Sequence, residues 1–404
     1  MSDPNPQPLK HYPKILFVHD YRPEARVLMD LIRQLFLGYP TEQIHWWRCR
    51  ETVIYEKPDL RAATLHGFCM PEKLVPAIRY TRIKSALLEA FWLPFAARNL
   101  ERTIARVQPD VVWMILFGWT IPVVGRTRFP AGLHTHVSLC DMPDTNGMKR
   151  TLGARRCQRS MDICTRLVRQ ATTCSGGGHG MVAEMNAFAG RHDGLVVHSG
   201  FEPHHLERLA KAPASQIEDG IIRLAYVGTI ISEAGFLDML AALKTVRTQL
   251  SQKVVLEFFG GRNYKARPWF EPEWMTEHGM FTDEGLVDAL RRCSWGIVVM
   301  DPAGDDFQYS RYSFPNKIGT CLSAGVPVLG FGHPTSSLAH IMKLHRVGHY
   351  TPAITRDEMA KFLLESLRQP APQAAFREDI LRCARTEFNA AEMRAKLWRL
   401  WGAH

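Results

Sequence analysis

The sequence predicts an α/β protein made of two doubly wound parallel sheets. Short apolar runs alternate with amphipathic helical segments along most of the chain, the pattern of parallel strands joined by crossover helices and covered on both faces. The alternation breaks at 200–219, where Phe201-Glu-Pro-His-His makes a turn and Ala210 to Gly220 is rich in small and polar residues, and then it restarts. The 404 residues suffice for two or three domains, and 46% hydrophobic against 22% charged residues is a globular balance with material for large cores.

Taken in order, Lys14-Ile-Leu-Phe-Val-His19 is a buried strand ending at Asp20, and Glu24 to Leu37 follows with helical spacing. Gln43 to Arg48 reads as a second strand. A helix over 94–107 precedes Asp110-Val-Val-Trp-Met-Ile-Leu-Phe-Gly118, a strongly apolar strand. Leu133 to Leu139, Ala171 to Ser175 and Leu195 to Ser199 are further short strands. After the break come a strand at 221–227, a helix at 234–250, a strand at 254–259, a helix at 284–292 and a strand at 295–300. A helix at 356–368 and a long amphipathic pattern from Gln373 to Trp401 complete the chain.

The net charge of +10 favours anionic partners: nucleotides, acidic lipid headgroups or nucleic acid. Nucleic acid is the least expected, because charge alone supports it and no recognised binding module accompanies it. Residues 1–10 are polar and proline-rich without an apolar signal core, so no export signal is expected there. The longest apolar stretch, Val111 to Val124, is interrupted by Gly118 and Pro122 and falls short of the roughly 20 residues that span a bilayer. The expected location is the cytosol or the inner surface of the cell membrane. Nine cysteines without a Cys-x-x-Cys pair fit free thiols in a reducing compartment.

The most informative stretch is Tyr312-Ser-Phe-Pro-Asn-Lys-Ile-Gly-Thr-Cys-Leu-Ser-Ala-Gly-Val-Pro-Val-Leu-Gly330. Pro315 suits a helix start, Ile318, Cys321 and Leu322 share a core face, Gly325 is a stop and Val326 to Leu329 a strand. A helix N-terminus after a loop attracts anions, and Lys317 adds a full charge in the first turn. An ordinary αβ unit with a solvated lysine is the plain alternative.

This stretch resembles the "Ser-x-Pro-x-Lys … Ala-Gly-x-Pro-Val" signature of GT-B nucleotide-sugar glycosyltransferases, closest to the large retaining, family-four-like group. Leu224-Ala-Tyr-Val-Gly-Thr-Ile230 and Val254 to Gly261 agree with that family in order and spacing, so the resemblance covers 220–370 well and the first half loosely. It implies two Rossmann-like domains facing across a cleft, with a C-terminal helix crossing back. Residues 1–205 would be the acceptor-side domain, 206–370 the donor-binding domain, and 371–404 the segment returning to the first. It implies sugar transfer from a nucleotide-sugar to a glycan or lipid-linked acceptor, in cell-envelope or exopolysaccharide synthesis, with no cofactor.

Ligands of open α/β sheets sit beyond the carboxyl ends of the strands. In the second half those positions are Gly228, Thr229, Gly260, Gly261, Arg262 and Asp301, with Arg311, Ser313, Pro315, Asn316 and Lys317 from the motif. Glycines let backbone approach a phosphate, although a plain strand-to-helix turn also uses them. Arg311 and Lys317 would neutralise the diphosphate and the charge of the departing nucleotide. In the first half the candidates are His19, Asp20, His134, His136, Asp141 and Asp144. His134 and His136 share a strand face and suit zinc, but no third ligand follows at metal spacing, so no metal is expected. In related enzymes a histidine near this strand end hydrogen-bonds the donor sugar, which the resemblance carries to His134 or His136; a histidine paired within the core is the rival reading. Asp141 or Asp144 would bind an acceptor hydroxyl or sit in a solvated loop that turns at Asn146-Gly147.

The sequence also departs from the family. Many members carry two glutamates at the positions of Tyr312 and Thr320, and a lysine at that of Ala234. Arg262, Lys265, Arg311 or Lys317 would have to complete the phosphate clamp, and Thr320 would bond ribose less strongly than a carboxylate. A non-catalytic GT-B protein binding a glycan or a partner is therefore the alternative function. An epimerase of this fold would need cleft carboxylates, which are few. Ser175-Gly-Gly-Gly-His-Gly180 is neither a Walker A loop nor a dinucleotide fingerprint and is expected as an interdomain or acceptor-side loop. Residues 73–102 mix Arg79, Arg82, Lys84, Arg98 and Arg102 with Phe91, Trp92 and Phe95, a pattern suited to an anionic membrane surface or to a core-packed helix with solvated charges.

Overall fold

The computed structural model describes residues 10–20, 26–49, 63–71, 74, 81–144, 146–213, 220–301, 307–353, 355–369 and 371–404. The expected helix start at Glu24, Lys73 and Arg79 of the basic segment, and 214–219 of the break lie outside them. Compactness divides the chain into one unit formed by 1–198 with 392–404 and a second formed by 199–391.

The first unit is built on β1 (Ile15–His19), β2 (Ile44–Arg48), β3 (Thr64–Gly67), β4 (Val111–Ile115), β5 (His134–Leu139), β6 (Thr173–Gly176) and β7 (Leu195–Val196). They form one parallel sheet in the order β3-β2-β1-β4-β5-β6-β7, so the winding reverses between β1 and β4. Every residue of β1 and β4 is buried, as their unbroken apolar sequences require for strands covered on both faces. The core under one face is aromatic: Phe17 lies 4.6 Å from Trp113, and Phe36 and Trp401 pack on Trp113 at 5.4 and 5.0 Å. Asn146-Gly147 opens the helix Asn146–Leu152 instead of a turn.

The second unit contains β8 (Ile222–Val227), β9 (Val254–Phe259), β10 (Met275–Glu277), β11 (Trp295–Val299), β12 (Val328–Phe331) and β13 (Gly348–Thr351). Its parallel sheet runs β10-β9-β8-β11-β12-β13, with the reversal between β8 and β11. Several of its helices start on side-chain caps. Ser232 and Ser336 accept from Gly235 and Ala339 N–H groups, and Thr355 and Glu358 form a reciprocal capping box. The edge strands β3, β10 and β13 had no signal in the sequence, being short, partly exposed or glycine-started.

The long helical pattern at the C-terminus is two helices. Pro372–Thr386 buries Ile380, Cys383 and Ala384 in the second unit, and Phe388, fully buried, ends that packing. The Phe201 N–H donates to the Phe388 carbonyl at 2.5 Å and the Ala390 N–H to the Phe201 carbonyl at 3.1 Å. Ala390–Leu400 then carries Leu397, Trp398 and Trp401 into the aromatic core of the first unit, where Trp398 Nε1 donates to the Leu35 carbonyl at 2.9 Å. The returning piece is thus shorter than 371–404, because the apolar face of 372–388 belongs to the second sheet.

Candidate functional site

In the second unit the switch between β8 and β11 is the place where an open α/β sheet admits a ligand. Gly228 follows β8, with φ +71°, and its N–H donates to the Phe259 carbonyl at 2.7 Å. Gly260, just after β9, has φ +146°, and a Cβ there would stand 3.3 Å from the Gly228 Cα. The Gly260 turn lies close against the Gly228 backbone, and the positive φ of both favours glycine at each. Tyr264 fastens them from outside: its hydroxyl donates to the Gly228 carbonyl and accepts from the Ile230 N–H, both at 2.9 Å. Its own N–H and that of Lys265 donate to Glu277 at 3.0 Å.

Lys317, in the first turn of the helix Asn316–Ser323, reaches the same place. Its Nζ donates to the Tyr226 hydroxyl at 2.9 Å and to the Thr229 carbonyl, and it lies 4.2 Å from the centre of the Tyr226 ring. Burial pulls the ammonium from 10.5 down to about 7. Arg262 Nε donates to Thr229 Oγ1 at 3.0 Å. Gly228, Thr229, Arg262 and Lys317, picked from the sequence, therefore meet at one point, with Gly261 beside Arg262. Next to them opens a cavity of about 520 Å³ whose walls include Thr229, Glu233, Arg262, Arg267, Tyr264 and Trp269.

The other motif residues frame this point. Pro315 stands at the N-cap of the helix, Asn316 is exposed on its first turn, and Ser313 is buried just before it. Thr320, one turn on, turns its hydroxyl toward the Asn316 carbonyl at 3.4 Å. Arg311 is held at Thr335, where its Nε donates to Oγ1 at 3.1 Å, and its guanidinium lies 5.1 Å from the Tyr312 ring. The Asp301 N–H donates to Ser310 Oγ at 2.9 Å, tying the end of β11 to the helix Phe307–Tyr312. Tyr226, Tyr264, Arg267 and Trp269 were not foreseen. Tyr226 looks like any inward residue of β8, and the other three sit in a loop without periodicity.

In the first unit the histidine pair is displaced from its expected position. His134 is the first residue of β5 and His136 the third, so both lie toward the amino end of the sheet. His136 is fully buried, with Nδ1 2.8 Å from Thr173 Oγ1 and Nε2 3.0 Å from Ser175 Oγ. His134 Nε2 is 3.1 Å from the same Thr173 hydroxyl. Ser175 Oγ is 2.7 Å from Ser138 Oγ, which accepts from Trp113 Nε1 at 2.8 Å. This is a closed polar network inside the sheet, and burial lowers His136 to about 3. The carboxyl end carries His19, Asp20 and Asp141 instead. His19 is buried and lowered to about 4 against the pull of Asp20, whose Oδ2 accepts the Trp119 N–H at 2.8 Å. Asp141 is half-buried two residues after the end of β5, and Asp144 pairs with Lys149 at 3.4 Å. In the glycine-rich loop, a Cβ on Gly176 would stand 2.9 Å from Val182, so this glycine serves close strand–helix packing. Among the described residues no cluster of three or more His, Cys, Asp or Glu is placed to hold a metal ion, and no helix is long and apolar enough to cross a membrane.

No protein-family model matches the sequence, and no curated protein matches it. Solved structures do match in shape. Anabaena HepE in complex with UDP and glucose is 12% identical, with 97% of this chain and 100% of that chain covered at a TM-score of 0.64. Sucrose-phosphate synthase from Thermosynechococcus elongatus is 12% identical over 96% and 98% of the two chains, at 0.65. WaaG, a glycosyltransferase involved in lipopolysaccharide biosynthesis, is 13% identical over 96% and 99%, at 0.62. Likeness across the whole length at such low identity establishes architecture: the chain has the two-unit α/β fold of the GT-B glycosyltransferases.

Proposed function

We propose that the chain is a nucleotide-sugar glycosyltransferase that passes a sugar to a glycan or lipid-linked acceptor with retention, in cell-envelope or exopolysaccharide synthesis. The observation that carries this is the convergence of Gly228, Thr229, Arg262 and Lys317 at the strand switch of the second unit. Lys317 is held on a carbonyl and a hydroxyl, acceptors that a diphosphate oxygen would replace with full charge. Arg262 is within reach of the same oxygens through Thr229, and Trp269 and Tyr264 give the adjoining cavity apolar faces suited to a ring. A complex with UDP-glucose is known for a protein of this fold, HepE, which makes uridine nucleotides the first donors to try. Asp141, at the carboxyl end of β5, is the better placed acceptor-side candidate; His134 and His136 are occupied inside the sheet.

The absence of acidic residues at Tyr312 and Thr320 favours a second reading, a GT-B protein that binds a nucleotide-sugar or glycan without transferring it. Thermal shift with a panel of nucleoside diphosphates and nucleotide-sugars, run on wild type and Lys317→Ala, addresses both. Stabilisation by one nucleotide series that is lost in the variant is the expected result, to be followed by hydrolysis and transfer assays with that donor. No stabilisation by any member would count against the transferase.

Membrane association is part of this proposal. Ile83, Leu87, Phe91 and Phe95 recur every four residues along Thr81–Val107 and are exposed, Ile83 and Phe91 by 61% and 69%. Lys84, Arg98 and Arg102 lie on the same segment. Such a stripe with a basic border suits the inner face of a membrane. Sedimentation with anionic vesicles, abolished by Phe91→Ser with Phe95→Ser, is the expected behaviour; equal sedimentation of the double variant would refute it.

A further inference from the structure

The cavity of about 520 Å³ beside Lys317 has a single carboxylate among the described residues that line it, Glu233. Glu233 is the first residue of the helix Glu233–Arg247, directly after the Ser232 cap, and it is exposed. Arg262 and Arg267 stand on the same wall. The Glu233 carboxylate nevertheless makes no ion pair or hydrogen bond with them or with any other described residue. Arg262 Nε donates to Thr229 Oγ1 instead. Glu277, on β10, shows the contrast of an acid used for structure: its two oxygens accept the Tyr264 and Lys265 N–H groups, both at 3.0 Å.

A carboxylate is an acceptor only, so its partner in a ligand has to be a donor. A diphosphate offers none at neutral pH, and a negative charge beside it would by itself only oppose binding. Thr229 and Arg262 belong both to the cavity wall and to the point where Lys317 arrives. A group bonded to a diphosphate held there would extend into the cavity. In a nucleotide-sugar the two such groups are the ribose and the transferred sugar, and each presents neighbouring hydroxyls. We infer that Glu233 recognises a vicinal diol of the donor, two adjacent O–H groups donating to the two carboxylate oxygens. The inference rests on the proposed donor site and names what that site selects beyond the diphosphate. Tyr264 and Trp269 give the same cavity an apolar face for the ring that carries the diol.

Titration calorimetry of wild type and Glu233→Gln, in EDTA, with UDP, UDP-glucose and inorganic pyrophosphate tests this. Pyrophosphate carries the diphosphate without a diol and is measured by competition with UDP. Glu233→Gln should weaken UDP-glucose by about tenfold, as expected for losing hydrogen bonds to a charged acceptor. Its affinity for pyrophosphate should stay the same or rise, because a repelling charge is gone. A loss with UDP as well as UDP-glucose assigns the diol to the ribose, and a loss with UDP-glucose alone assigns it to the sugar. Unchanged or tighter binding of all three ligands would overturn the inference. So would a parallel loss with pyrophosphate, which marks a structural role, or a loss seen only when Mg²⁺ replaces EDTA, which marks a metal ligand. The two proposals fail separately. If UDP binds wild type, is lost in Lys317→Ala and ignores Glu233→Gln, the donor site stands and the diol contact falls. If wild type binds none of the three, both fall.

Discussion

The pH dependence of nucleotide binding offers a sharp test of the proposed donor site, because it isolates one side chain. Lys317 Nζ is enclosed by the Tyr226 ring, the Tyr226 hydroxyl and the Thr229 carbonyl, and burial lowers it from 10.5 to about 7. In the free protein it is then about half charged at pH 7, about one-tenth at pH 8 and about one-hundredth at pH 9. A diphosphate placed against it favours the charged form, so binding takes up a proton. Affinity should fall about fivefold from pH 7 to 8 and about tenfold more from 8 to 9. The nucleotide does not mask this, because its terminal phosphate has a second pKa of about 6 and is ionised throughout. The free protein should show the opposite trend in stability. Between about 7 and 10.5 the unfolded chain holds the lysine proton and the folded chain does not, so stability rises with pH across that window. Titration calorimetry in two buffers of different ionisation heat gives the proton count, and urea melts give the stability slope. Lys317→Met should flatten both curves. A wild-type affinity constant from pH 6.5 to 9, or the same slope in Lys317→Met, would refute the assignment of Lys317 to the diphosphate.

Three other outcomes follow from the same contacts. Tyr264→Phe removes the hydroxyl that holds the Gly228 carbonyl and the Ile230 N–H; it should cost about 1–3 kcal/mol in urea denaturation and weaken nucleotide binding by loosening the glycine turns. Trp398→Ala empties a buried site in the first unit and leaves the Leu35 carbonyl without its donor, so a loss of about 3–5 kcal/mol is expected in urea denaturation followed by tryptophan fluorescence. His136 takes its proton only near pH 3 when folded and near 6.5 when unfolded; wild-type stability should therefore be full above about 6.5 and decline as pH falls toward 3, and His136→Gln should remove that part of the slope in acid melts.

How far the sequence reached can be seen at particular residues. β1, β4 and β11 were legible because strands buried on both faces are apolar throughout, and β8 and β9 because their runs are apolar apart from Arg223 and Glu257, which pair with each other. The motif helix was legible because Pro315, the apolar spacing of Ile318, Cys321 and Leu322, and Gly325 mark its start, inner face and end. That Gly228, Arg262 and Lys317 would lie together followed from position alone, as residues at carboxyl ends of strands or at a helix start. The histidines of β5 were misplaced because alternation gives a shared face but not the distance of a residue from the strand's end, and their partners Thr173 and Ser175 are some 37–39 positions away.

The sequence by itself determined the fold class and the two rounds of strand and helix, since both depend on local periodicity and on residue chemistry. Tertiary structure decided what long-range contact decides. It directed Lys317 onto Tyr226 and Thr229, 91 and 88 positions distant, and by enclosing the ammonium made it a titrating group near neutrality. It closed His136 into a hydroxyl network, and it divided the C-terminal helical pattern between the two units. None of these can be read from spacing, because burial and hydrogen-bond partners are properties of the space a residue occupies, and that space is built by segments far away in the chain.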